Sequence, residues 1–72
     1  MTRHREAAVK DEHYNLVSGL YHMVQGAWTY SQYVKDSEEA GDEELAALFR
    51  DAHRQHVELA ERAKALLKGR LV

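Results

Sequence analysis

Leu45-Ala-Ala-Leu-Phe-Arg-Asp-Ala-His-Arg-Gln-His-Val-Glu-Leu-Ala-Glu-Arg-Ala-Lys-Ala-Leu66 decides how the chain is read. Within it Leu45, Phe49, Ala52, His56, Leu59, Ala63 and Leu66 advance by four and three in alternation, which keeps them in one line along a helix and asks for a partner surface. Every member of that line is apolar except His56, near its middle. A hydrogen-bonding ring in an otherwise dry line belongs to a site or is a polar pin inside an interface.

Just before this stretch, Glu39-Ala-Gly-Asp-Glu-Glu44 reads as a helix stop followed by a helix start. Gly41 can take the left-handed conformation that ends one helix, Asp42 can cap the next, and Glu43 and Glu44 put negative charge at its positive end. So short a connection makes the flanking helices antiparallel neighbours. The expected organisation is one domain over residues 1–72, with a helix from about 6 to 40, a turn at 41–42 and a helix from about 42 to 69.

The first helix carries a wide apolar face: Val9, His13, Leu16, Val17, Leu20, Met23, Val24, Ala27, Ser31 and Val34. One neighbour covers a narrow seam, whereas a stripe wider than ~100° implies two neighbours. The expected fold is therefore all-α, an antiparallel helical hairpin that dimerises into a four-helix bundle. Along the edges of the face, Tyr14, Tyr21 and Trp28 recur every seven residues on one side, and Gly19 and Gly26 do so on the other. Glycine inside a helix costs about 1 kcal/mol relative to alanine, so these two imply either close approach of a helix or room for a bulky group.

Composition narrows the function classes. A chain of 72 residues makes a core worth only ~3–5 kcal/mol unless something else supports it. Cysteine is absent, which removes disulfides, thiolate metal sites and a Cys nucleophile together. Mixed charges summing to −2, with no basic run, give no reason to expect nucleic acid as a partner. Neither a signal-peptide pattern nor a membrane-spanning apolar run occurs, so the expected setting is cytoplasmic, with no membrane partner.

Candidate chemistry gathers around one ring. Across the hairpin His56 should face Gly26, close to Gln25 and Tyr30, with His53 opposite Thr29. His53 and His56, three residues apart, have spacing suited to two metal ligands, and Gln25, Gly26 and Tyr30 would stand around those ligands or line a pocket. The bland reading is a core histidine satisfied by Gln25 or Tyr30, which removes the ~1–3 kcal/mol penalty of burying an unpaired imidazole. No catalytic residues are assigned. The acids Asp51, Glu58 and Glu61 belong to the outer face of the second helix beside Arg54, Arg62 and Lys64, and no paired inward carboxylates, nucleophilic triad or phosphate loop is present.

The run from Gly26 to Ala52, with its tyrosine-rich first helix, acidic glycine turn and Leu45-Ala-Ala-Leu-Phe-Arg50 opening the second helix, resembles the central hairpin of rubrerythrin and ferritin-like proteins. It is similar above all to the small one-hairpin members, such as encapsulated ferritins, that reach a four-helix bundle by dimerising. The resemblance implies that fold and self-association. It does not imply iron chemistry, because the positions matching the family's ligands hold Gln25 for the first-helix Glu, His56 for the second-helix Glu and Leu59 for its His.

Three functional expectations follow. The leading one is a ferritin-like, self-associating, non-enzymatic module with no cofactor. The second is a redox protein binding a transition metal or haem through His56, with His53. The third is a small-ligand-binding or designed four-helix bundle that uses the glycine and alanine space.

Overall fold

The structure, a computed structural model, describes residues 11–71. Two helices, α1 (Asp11–Glu39) and α2 (Glu43–Arg70), pack against each other as an antiparallel hairpin, and the described residues contain no strand. The all-α hairpin expected from periodicity is thus observed. The expected helix start near residue 6, and Val9 on its face, lie outside the described residues.

The turn forms by the chemistry its residues allow. Gly41 sits at φ 75, in the left-handed region. Its N–H donates to the Glu38 carbonyl (3.0 Å) and the Asp42 N–H donates to the Ser37 carbonyl (2.9 Å), which satisfies the last carbonyls of α1. Asp42 then caps α2, its Oδ1 accepting from the Leu45 N–H at 3.1 Å. One residue therefore closes the first helix and opens the second, with no room for slack between them.

Burial traces an inner line on each helix. On α1 it runs His13, Leu16, Leu20, Met23, Ala27, Tyr30, Val34, Ser37; on α2 it runs Ala46, Phe49, His53, His56, Ala60, Ala63, Leu67, all of them buried or half-buried. Both lines step by three and four, the signature of a knobs-into-holes seam. The α2 line is a correction to the expected one. Phe49, His56 and Ala63 belong to it, but Leu45, Leu59 and Leu66 are 39%, 40% and 52% exposed, and the one-residue neighbours Ala46, Ala60 and Leu67 turn inward instead. Two helices in close contact select small side chains for the line of contact, and the leucines are displaced to its flank.

The hairpin's own core is consequently thin. Its buried apolar residues are Ala27, Ala46, Ala60 and Ala63, and no large side chain among the described residues is fully buried. Surface ion pairs, Arg50 with Glu38 (2.8 Å) and Glu43 (3.3 Å) among them, add little because exposed pairs are worth under about 1 kcal/mol.

At fixed protein concentration, Asp42→Ala should lower unfolding stability by ~1 kcal/mol through the lost cap. Gly41→Ala should do so by ~1–2 kcal/mol through left-handed strain. Chemical denaturation checks both, and unchanged midpoints would contradict this account of the turn.

Candidate functional site

Two histidines form the polar centre of the hairpin. His53, which sequence periodicity left off the seam, lies on the inner line and donates its Nδ1–H to the Ala27 carbonyl of α1 at 2.8 Å. A carbonyl oxygen can only accept, so this bond fixes the tautomer. His56 donates its Nδ1–H to the Ala52 carbonyl in its own helix at 2.9 Å. In the neutral ring each Nε2 is then left as a lone pair.

The His56 ring packs closely against Gly26 of α1, its Cδ2 and Nε2 atoms nearest. A Cβ built on Gly26 would stand 2.6 Å from His56 Cδ2 and 3.0 Å from Nε2, closer than real contacts allow. That explains the glycine: it admits the imidazole. On its other flank the ring meets Tyr30 at 5.1 Å between centroids, and Tyr30, Phe49 and Tyr33 continue the cluster at 5.2 to 6.0 Å. Aromatic contacts at these separations prefer tilted or edge-on arrangements, as seen here.

Of the residues expected at the site, the structure brings Gly26, Tyr30 and His56 together. His53 joins the same inner line but bonds to Ala27 rather than facing Thr29. Gln25 does not join: it is exposed, two places past Met23 and so turned outward, and the partner that satisfies His56 is a main-chain carbonyl, not Gln25 or Tyr30. Gln25, Leu59 and His56 do not converge: Gln25 is outward, Leu59 on the flank and His56 inside. Among the described residues no group of three or more His, Asp or Glu side chains is placed to hold a metal ion. The acids behave as surface groups, Asp51 pairing with Arg54 at 2.9 Å and Glu61 with Lys64 at 3.4 Å.

The signal for His53 was present in the sequence but ambiguous. A line through residues 46, 53, 60 and 67 shares the seven-residue repeat of the leucine line one position away, and a histidine in it argues against burial unless its proton has an acceptor. Ala27 supplies that acceptor, which only the folded hairpin reveals.

No protein-family model, curated protein or solved structure matches the chain. What the site does is therefore argued from its geometry.

The close contact makes a prediction with opposite signs in two backgrounds. Gly26→Ala should destabilise the protein by ~1–3 kcal/mol, as overpacking does, despite alanine's better helix propensity. In a His56→Ala background the same change should become neutral or stabilising. A double-mutant cycle by thermal or chemical denaturation reads the coupling, and additive effects would show that the two residues do not touch.

Proposed function

We propose that the chain is a non-enzymatic self-association module: two hairpins lay one face together and complete a four-helix bundle of ferritin-like architecture without a di-iron centre. The observation that carries this reading is the flank of α2. Leu45, Leu48, Leu59 and Leu66, with Ala52 among them, each stand one place before a residue of the inner line and form a second apolar line that the hairpin leaves half uncovered. Fully burying a leucine is worth ~1.5–3 kcal/mol, so covering the exposed half of four supplies about 4 kcal/mol per chain. That equals what a core of this size provides alone, ~3–5 kcal/mol, and couples folding to association.

Gly19 supports the same face. It stands one place before the inner-line residue Leu20, as Gly26 does before Ala27, and in an antiparallel pair such positions share a side with those one place before the α2 line. Unlike Gly26, it is not needed by the hairpin: an added Cβ would meet nothing nearer than Met23 Cε at 3.9 Å. A second helix lying on this side gives the glycine a purpose.

Leu59→Glu and Gly19→Leu change residues on the incompletely covered face of the hairpin. Both should weaken association at least tenfold in sedimentation equilibrium while leaving the helical circular dichroism at high concentration intact. A folded wild-type chain sedimenting at 8.3 kDa would reject the proposal.

A second reading, a metal-binding bundle, is favoured by one observation. Both histidines hand their Nδ1 proton to main-chain carbonyls and keep Nε2 free, the arrangement of a metal-ligating imidazole. Two imidazoles from each of two copies would make a four-nitrogen set. Zinc or cobalt titration should then give one ion per two chains, abolished by His56→Ala; an unchanged melting temperature on adding either ion would remove this reading.

A further inference from the structure

The surplus apolar surface of the hairpin lies on two opposite sides. Because the helices run antiparallel, one step forward from the inner line turns both of them toward the same side. The Arg50–Glu38 ion pair (2.8 Å) fixes this, since Glu38 follows Ser37 and Arg50 follows Phe49 on their inner lines. The leucines of α2 each stand one step before the line. Tyr14, Val17, Tyr21, Val24 and Trp28 of α1 each stand one step after it, and so occupy the other side. A partner on the leucine face leaves these five residues in water.

They are not scattered surface residues. They repeat the three-and-four spacing of a helix-packing seam, about 21 Å long at ~1.5 Å per residue. Tyr14, Tyr21 and Trp28 are 64%, 60% and 65% exposed. With ~150–250 Å² per aromatic side chain, these three alone offer about 400 Å². Val17 and Val24, each about half exposed, extend the area further. A typical monomer's largest apolar patch is ~300–600 Å², and a standard interface buries ~800 Å² per partner including its polar rim.

We infer that this α1 seam is a second self-association surface through which bundles pair, so that the assembly holds at least four chains. The inference rests on the dimer reading above and extends it. Three observations select another copy of the chain as the occupant. The seam is one helix wide and regular, which suits a helix and not a broad surface. Laid antiparallel on itself about Tyr21, it sets Tyr14 against Trp28 and Val17 against Val24, so it complements itself around a twofold axis. Of the described cations on this side, Arg50, Arg54 and Lys64 are paired with acids, and Lys35 and Lys68, which carry no ion pair, sit at opposite ends of the hairpin, so the face lacks the cluster of free positive charge by which an amphipathic surface binds anionic lipid.

Native mass spectrometry and sedimentation velocity on the full chain, with Trp28 fluorescence as a local reporter, test the seam. The wild type should assemble as four or more chains. Tyr21→Glu and Val24→Lys, both placed at exposed positions of the hairpin, should reduce the mass to that of a dimer and shift Trp28 emission to the red with helicity retained. Leu59→Glu should also reduce the mass but leave Trp28 emission blue-shifted. A wild type that stays a dimer at every concentration and is dissociated by Leu59→Glu alone overturns this inference and leaves the bundle standing. A dimer dissociated by Tyr21→Glu alone supports the seam and overturns the bundle. A wild-type monomer overturns both.

Discussion

The narrow line of contact between the two helices governs everything else in this structure. Where α1 and α2 meet, the buried apolar residues are alanines, and Gly26 yields its side-chain space to an imidazole. Small residues let the backbones approach, and close approach leaves no place between the helices for Leu45, Leu59, Tyr21 or Trp28. Those residues turn to the flanks, where the hairpin itself cannot cover them. A chain this short has little margin for leaving them in water.

The polar centre obeys the same constraint. Two imidazoles sit in the middle of an α2 line otherwise made of apolar residues, and each is satisfied by a main-chain carbonyl. The His53 bond joins one helix to the other, while the His56 ring fills the groove at Gly26 and meets Tyr30. The contacts of His53 with Ala27 and of His56 with Gly26 tie α2 to one position along α1, and they account for both histidines with no ligand required. It also keeps both Nε2 atoms as lone pairs, which is why a metal-binding reading retains a structural footing.

Legibility followed the range of the forces involved. The turn was readable residue by residue, because a left-handed glycine followed by an Asp cap is local chemistry, and Gly41 and Asp42 play those parts. The two-helix hairpin was readable from the length and period of the apolar pattern. The inner face of α2 was misplaced by one residue, since hydrophobicity favours Leu45 and Leu59 where close packing favours Ala46 and Ala60. The meeting of His56 with Gly26 was legible because a glycine in mid-helix needs a reason. The role of His53 was not, because its acceptor belongs to the other helix, and Gln25 faces outward because neighbours in sequence are turned ~100° apart on a helix.

If folding depends on a second copy to cover what the hairpin leaves exposed, the thermal unfolding midpoint must depend on how much protein is present. A roughly hundredfold rise in concentration corresponds to about 2.7 kcal/mol of coupled stability, enough to raise the midpoint of a domain this small by several degrees. A midpoint that rises steadily across that range is the predicted result. One that stays fixed, with a single sharp transition at every concentration, would show that the thin alanine seam suffices on its own.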